Sequence, residues 1–307
     1  MKTPPICTKC HQRPSVYHRA YSGERLCPTC FNASLKERVQ GAINRFHMLD
    51  HWSRVAIGVS GGKDSLTLLH MLKGIEDETH GSEVVAVTVD EGIKGYRDEA
   101  LGIVERSCRA MGVEWVSVSF TDLFGYTMDE IAASERTLGA CSFCGVLRRR
   151  ALNEAAKRVD ADRLATGHTL DDMAQSALLN LLRGDIGKMA SLDPSGYTSP
   201  GFVRRIKPLC EVPERETTLY AYLQGFELQS TACPYAGEAM RGDARAFLSE
   251  MEAKRPGTLF TTYNTALKLI PQTATAEAMK TCRICGEPSA GDTCRVCQLL
   301  EDRKKVG

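Results

Sequence analysis

No stretch of this 307-residue chain is apolar for long enough to cross a bilayer. Its longest apolar runs, such as Val84–Val89, span only a handful of residues, whereas a membrane helix needs about 20. The sequence therefore predicts no membrane span. The first thirty residues also lack the continuous apolar segment of a signal peptide, carrying four cysteines, prolines and charges instead. A cytoplasmic protein is expected. Low-complexity segments are absent, and 43% hydrophobic with 25% charged residues describes a globular chain able to bury a full core. Net charge is almost absent too, at +1, but it is unevenly placed. Residues 1–50 carry +5 and residues 280–307 carry +2, which leaves the middle near −6. Basic ends fit an electrostatic footprint for nucleic acid, and equally the solvated faces of small modules.

Cysteine is abundant, with thirteen copies. A reducing compartment disfavours disulfides, so ordered C-x-x-C pairs read as metal ligands. Cys7-x-x-Cys10 and Cys27-x-x-Cys30 have sixteen residues between them, and Cys282-x-x-Cys285 and Cys294-x-x-Cys297 have eight. Each set fits a closed four-cysteine zinc site, so two Zn²⁺ are expected. His11 and His18 lie inside the first set and are expected at the surface, because four thiolates already satisfy tetrahedral zinc. The differing spacings argue against an internal repeat.

From Asn32 to Leu49 the residues Leu35, Val39, Ile43 and Phe46 recur at helical steps, predicting an amphipathic helix that leads into the core. Short β-rich runs then alternate with helical segments. The expected strands are Val55–Val59, Val84–Val89, Trp115–Val118, Arg163–Thr166 and Val203–Lys207. A helix carries Leu101, Val104, Cys108 and Met111, and another follows Cys144 with Leu147, Leu152 and Ala155. This alternation predicts an α/β fold with a doubly wound parallel sheet, its ligands at the carboxyl ends of the strands. Asp193–Gly201 reads as a loop, residues 213–253 return to helix, and after Pro256-Gly257 strong periodicity is lost. The expected division is a zinc module with linking helix at 1–50, a catalytic domain at 51–270 and a zinc ribbon at 271–307.

Ser60-Gly61-Gly62-Lys63-Asp64-Ser65 follows the Val55–Val59 strand and precedes the helical run Leu66–Leu72. A glycine turn there brings backbone amides close to phosphate at a helix N-terminus, with Lys63 as cation and Ser60 and Ser65 as hydroxyl donors. A Walker A loop is excluded, because Lys63 stands where the second glycine of that motif belongs. In this setting SGGKDS, with Gly58 and Val59 leading into it, resembles the PP-loop of ATP pyrophosphatases. That resemblance implies cleavage between the α- and β-phosphates of ATP, adenylation of a substrate, and an adenosine side formed by Thr88–Asp90 and Gly167-His168. After the fourth strand comes Thr166-Gly167-His168-Thr169-Leu170-Asp171-Asp172. Asp171 is a candidate Mg²⁺ ligand, since hard carboxylate oxygens suit that ion. Thr169 and Asp172 have the spacing of a helix capping box.

Three cysteines remain unassigned near this edge. Cys141-Ser142-Phe143-Cys144 precedes an arginine-rich helix, where thiol pKa values are expected to be lowered, and Cys233 lies in Cys233-Pro234-Tyr235. Two paired and one distant cysteine cannot complete a four-cysteine zinc site, but they can hold a 4Fe–4S cluster with one iron left open. Cys108 falls on an apolar stripe and Cys210 follows Pro208-Leu209, so both are expected to be structural.

With the two terminal cysteine sets, SGGKDS, DEGIKGYRDEA, CSFCGVLRRR, GHTLDDMAQ, LRGD and CPYAGEAMRGDAR resemble the cytoplasmic tRNA 2-thiolation family of archaea and eukaryotes, from Cys7 to Cys297. TtuA proteins, which sulfurate the T-loop uridine 54, share the architecture. DEGIKGYRDEA and CSFCGVLRRR look more like the wobble-uridine branch, called NcsA in methanogens, and TtcA proteins lack the terminal zinc modules. The resemblance implies that ATP adenylates the C2 oxygen of uridine 34 in tRNA and that sulfide held on the cluster's open iron displaces AMP. Lys63 and Asp64 then rank with Cys141, Cys144 and Cys233 as catalytic residues. A competing account uses Cys141 or Cys144 as a persulfide and Cys233 as the resolving thiol. The sulfur donor is sulfide or a ubiquitin-like thiocarboxylate protein, and a homodimer is implied. A PP-loop amide ligase would give the internal cysteines no task, and a purely nucleic-acid-binding zinc protein would leave SGGKDS unused.

Overall fold

The computed structural model describes residues 4–79, 81–135, 138–196, 200–236, 241–270 and 279–305. A hairpin, β1 (Tyr17–Arg19) and β2 (Glu24–Leu26), lies between the two N-terminal cysteine pairs. Helix α1 (Pro28–Arg45) starts inside the second pair, four residues before the expected Asn32. Pro28 is the reason: its fixed φ suits the first turn, where its missing N–H is no loss. The buried face of α1 consists of Phe31, Leu35, Val39, Ala42 and Ile43.

The middle of the chain runs β3 (Arg54–Gly58), α2 (Lys63–Thr79), β4 (Glu83–Asp90), α3 (Tyr96–Met111), β5 (Glu114–Ser119), α4 (Phe120–Phe124), α5 (Met128–Ala133), α6 (Ala140–Arg158), β6 (Arg163–Thr166) and α7 (Leu170–Leu182). A 3₁₀ segment (Ile186–Leu192), β7 (Arg204–Ile206), α8 (Glu214–Leu223), α9 (Arg241–Lys254) and α10 (Thr258–Lys268) follow. The last elements are β8 (Lys280–Thr281), β9 (Pro288–Ser289) and α11 (Arg295–Lys305).

Strands β3 to β7 form one parallel sheet in the order β5-β4-β3-β6-β7. Alternate residues of each strand enter different cores. Val55 and Ile57 of β3, with Val84 and Ala86 of β4, join one cluster; Ala56, Val85, Val87 and Val89 join the other. Side chains alternate across a strand, so such continuous apolar runs mark a sheet covered by helices on both faces. The expected doubly wound sheet is present. The chain reverses its direction of winding between β3 and β6, where Gly58 pairs with Thr166, and this is where such sheets open a ligand crevice.

The two ends attach to opposite faces. Cys7, Leu26 and Cys27 belong to the core that includes α1 and α2, whereas Leu299 of α11 belongs to the core built on α6. Glu287 ties the C-terminal module to α6 through Arg150 (2.7 Å) and Lys157 (3.1 Å). Among the described residues no helix is long and apolar enough to cross a membrane.

Several expectations need correction. Helix α6 begins at Ala140, so Cys141 and Cys144 lie within its first turns and do not precede it. Residues 213–253 are not one helical stretch, since α8 ends at Leu223 and α9 begins at Arg241. After Gly257 the chain forms α10, which buries Leu259, Tyr263 and Ala266 at helical spacing. Four threonines in Thr258–Lys268 weaken its intrinsic propensity and hide that stripe in the sequence. Cys108 and Cys210 are buried as expected, with 2% and 0% exposure. The loop at Asp193–Gly201 includes 197–199, and the last sequence motif includes 237–240; both stretches lie outside the described residues.

Candidate active site

The loop between β3 and α2 is shaped by short contacts. The Ser60 amide donates to Ser65 Oγ (3.1 Å), and Ser65 Oγ donates to the Gly62 carbonyl (2.9 Å). Gly61 has φ +86°, and a Cβ there would come within 3.1 Å of the Ala100 carbonyl oxygen, so glycine is required. Gly167, after β6, sits against the same loop: a Cβ would stand 3.1 Å from both the Asp64 carbonyl carbon and the Ser65 nitrogen. Thr88 lies behind the loop, donating to the Val59 carbonyl (2.9 Å) and accepting from Trp115 Nε1 (3.0 Å).

A cleft of about 300 Å³ opens in front of these residues. One wall is Gly58, Val59, Ser60, Asp64 and Ser65; another is Thr166, Gly167, His168 and Asp172. Of the expected nucleotide residues, Gly61, Gly62, Lys63, Thr88 and Asp171 stand off the lining. Lys63 pairs with Asp64 (2.9 Å) and Glu214 (2.8 Å), and these carboxylates hold its ammonium above the usual lysine range against the opposing effect of burial. Asp171 accepts the Glu214 amide at the start of α8 (2.7 Å). Thr169 and Asp172 form the expected capping box, and Arg241 reaches Asp172 across the cleft at 3.3 Å.

Val89 of the expected Thr88–Asp90 stretch lies in this lining, whereas Glu91, Arg97, Arg148, Leu152 and Arg241 were not expected there. Glu91 and Arg97 stand in DEGIKGYRDEA, immediately beyond a strand's carboxyl end, which was the available signal. Glu91 is 3% exposed and ion-paired to Arg97 (2.8 Å) on one side and Arg148 (2.6 Å) on the other. Arg97 donates to the carbonyls of Ser60 (3.2 Å) and Val89 (2.7 Å). Arg148 donates to Cys144 Sγ (3.0 Å). A continuous polar chain therefore runs from the glycine loop to a cysteine of the internal set.

That set converges at the first turns of α6. Cys141 Sγ donates to the Tyr235 carbonyl (2.8 Å), two residues beyond Cys233, and Cys233 packs on the core that contains Cys144. Burial pushes the Cys144 thiol up in spite of Arg148, contrary to the lowering expected from a helix N-terminus. Among the described residues, three or more metal-binding side chains come within 4.8 Å of one another only at Cys7, Cys10, Cys27 and Cys30 and at Cys282, Cys285, Cys294 and Cys297. Cys141, Cys144 and Cys233 lie outside those two sets. Within each terminal set the thiols split. Burial raises the Cys7 thiol, but amides of Cys10, Cys27 and Lys9 outweigh it and bring it to about 6, and amides of Cys294 and Cys285 bring Cys282 to about 6; burial and the neighbouring thiols push Cys30 up to about 12 and raise Cys297, and burial raises Cys285. His11 and His18 are exposed, outside the ligand set.

A family profile described as a PP-loop domain matches residues 35–230. Cytoplasmic tRNA 2-thiolation protein 1 of Bos taurus is 39% identical over 306 residues, covering 97% of this chain and 87% of that protein. The chain belongs to the cytoplasmic tRNA 2-thiolation protein 1 family. Its relative in Saccharomyces cerevisiae is 35% identical over 316 residues, covering 99% of this chain and 88% of that protein. A profile described as the N-terminal LIM domain of the 2-thiouridine synthetase TtuA matches residues 6–32. The solved structure of the U34-tRNA thiolase NcsA from Methanococcus maripaludis with its [4Fe-4S] cluster superposes with a TM-score of 0.85. It is 35% identical, and the match covers 97% of this chain and 96% of that one.

Proposed function

We propose that this protein is a cytoplasmic ATP-dependent tRNA sulfurtransferase that converts uridine 34 to 2-thiouridine. The observation that carries this is the polar chain Ser60–Arg97–Glu91–Arg148–Cys144, which joins a glycine loop without a Walker A pattern to three convergent thiols. The branch resemblance and the NcsA neighbour favour uridine 34 over uridine 54. The family resemblance is compatible with a homodimer.

Backbone amides of the glycine loop and the hydroxyls of Ser60 and Ser65 hold the triphosphate, with Gly167 and His168 on the adenosine side. Asp64 and Asp171 are the carboxylates for Mg²⁺. The uridine C2 oxygen attacks the α-phosphorus, the bond to pyrophosphate breaks, and Lys63 offsets the charge that develops. A sulfide sulfur then attacks C2, and the C2–O bond breaks as AMP leaves. Cys141, Cys144 and Cys233 would hold the 4Fe–4S cluster; when bound, it supplies an iron without a protein ligand where the sulfide donor is kept. Arg148, between Glu91 and Cys144, places a guanidinium beside the Cys144 sulfur, where it would favour an anionic ligand set. Sulfide itself or a thiocarboxylate protein supplies the sulfur.

Product analysis tests the adenylation. With unmodified tRNA present, ATP should give AMP and pyrophosphate, and nuclease mapping should find 2-thiouridine at position 34. Tightly tRNA-dependent formation of ADP and orthophosphate would reject the mechanism, and label at position 54 would move the chain to the other branch.

The terminal sets are proposed as structural zinc sites, one in the module at 1–50 and one in the ribbon at 271–307, flanking the catalytic domain at 51–270. Small modules with little apolar core of their own depend on such metal for folding. An iron-free preparation should contain about two zinc ions per chain. Gently purified protein with no zinc would remove both assignments.

A further inference from the structure

The first turn of α8 is gripped from two sides. Glu216 is fully buried, and its carboxylate accepts from Arg19 Nε and Nη2 (3.0 Å each), from Tyr21 OH (2.5 Å) and from Arg38 Nη1 (3.3 Å). Arg19 and Tyr21 belong to the β1–β2 hairpin between the N-terminal cysteine pairs, and Arg38 to α1. Burial and the Glu216 charge push the Tyr21 hydroxyl up, so it stays protonated and donates. The hairpin thus reaches α8 through one carboxylate that has no water-facing alternative.

Its neighbours on the same turn reach the nucleotide loop. Glu214 pairs with Lys63 at 2.8 Å, and Thr217 Oγ1 donates to Asp64 Oδ1 at 2.5 Å. Two residues on either side of the buried anchor therefore fix the two charged groups that follow Gly62. A shift of α8 would move Lys63 and Asp64, because a buried carboxylate cannot exchange its arginines for solvent without a large desolvation penalty.

We infer that the N-terminal cysteine module positions the ATP site, with Glu216 as the positioning residue, so that ATP binding and the integrity of this module are linked. The inference rests on the reading of the cleft as an ATP site. By linkage the effect is reciprocal: a module in its native geometry tightens ATP, and bound ATP tightens the module.

The test uses the full zinc-loaded chain and MgATP. Glu216→Gln keeps the shape of the anchor but removes its charge, and it should weaken ATP binding about tenfold, within the usual range of coupling between sites. If that variant does not fold, Arg38→Met, at the edge of the clasp, serves instead with a smaller loss in the same direction. In the reverse arm, saturating MgATP should slow alkylation of Cys7, Cys10, Cys27 and Cys30 severalfold, read by mass spectrometry against the C-terminal cysteines as internal reference. Glu214→Gln combined with Thr217→Val cuts both links at the far end, and the pair should abolish that protection while leaving the clasp intact. Protection that persists in this double variant, or unchanged ATP affinity in a folded Glu216→Gln chain, overturns the inference. Absence of ATP binding by the unmutated chain would instead remove the reading of the cleft.

Discussion

Cys233→Ala should leave the chain with two zinc ions and no iron–sulfur cluster, and with 2-thiouridine formation reduced below detection. Anaerobic reconstitution of the unmutated chain should give about four irons and four sulfides. The variant tests ligation and not folding, because other contacts anchor the segment that carries Cys233. Glu99 accepts from the Ser230 amide and hydroxyl (2.8 Å each) and from the Thr231 amide (3.1 Å). The Thr231 side chain, together with those donors, holds the Glu99 carboxyl at about 2, so the anchor is ionised at the pH of reconstitution. Further along, Tyr235 OH donates to Asp129 (2.8 Å), and the Gln229 side chain donates to the Tyr96 carbonyl (2.5 Å). Neither zinc set shares a residue with this region.

Iron, sulfide and zinc analysis alongside nucleoside mass spectrometry separates the possible results. A cluster retained in each of the three single variants at Cys141, Cys144 and Cys233 would mean that other residues hold it. Full thiolation by iron-free enzyme supplied with sulfide would rule the cluster out of the reaction. Persulfide that accumulates on Cys141 or Cys144 during turnover would favour the covalent route.

How legible these features were depended on how local their cause is. The five core strands could be read because residues such as Val84–Val87 are apolar without interruption, as burial on both faces demands. The terminal cysteine sets and the glycine loop are likewise written in short spacings. What escaped was decided by distant chain segments. Glu91, Arg97 and Arg148 meet only because β4, α3 and α6 converge at one sheet edge, and a sequence shows their charges without their pairing. The raised Cys144 thiol has the same origin: helix position argues for lowering, but burial in the core with Phe143 and Leu147 outweighs it. Asp171 has a partner of the same distant kind, since α8 brings the Glu214 amide to one oxygen of that carboxylate.

Lys63→Ala should lower tRNA-dependent AMP and pyrophosphate formation by about 10²–10³-fold, the usual scale for losing one electrostatic contact to a transition state. The substitution removes a cation held between Asp64 and Glu214 and leaves two carboxylates without it beside an incoming triphosphate. Both consequences act in the same direction. The fold should tolerate the change, because position 63 begins α2, where alanine is a good helix former, and the Thr217 contact to Asp64 does not involve Lys63. Neighbouring carboxylates raise the Lys63 pKa above its ordinary value, so the cation persists through neutral and mildly alkaline pH and its loss can occur only further up. Activity between pH 7 and 9 should therefore show no limb that Lys63→Arg removes. Arginine keeps the charge but presents a planar fork in place of a compact ammonium, so Lys63→Arg should recover only part of the rate. Kinetics then locate the contact. A fall in kcat places the Lys63 interaction in the transition state, whereas a rise in KM alone places it in ground-state binding of ATP. An unchanged kcat/KM for Lys63→Ala would remove Lys63 from the phosphate site altogether.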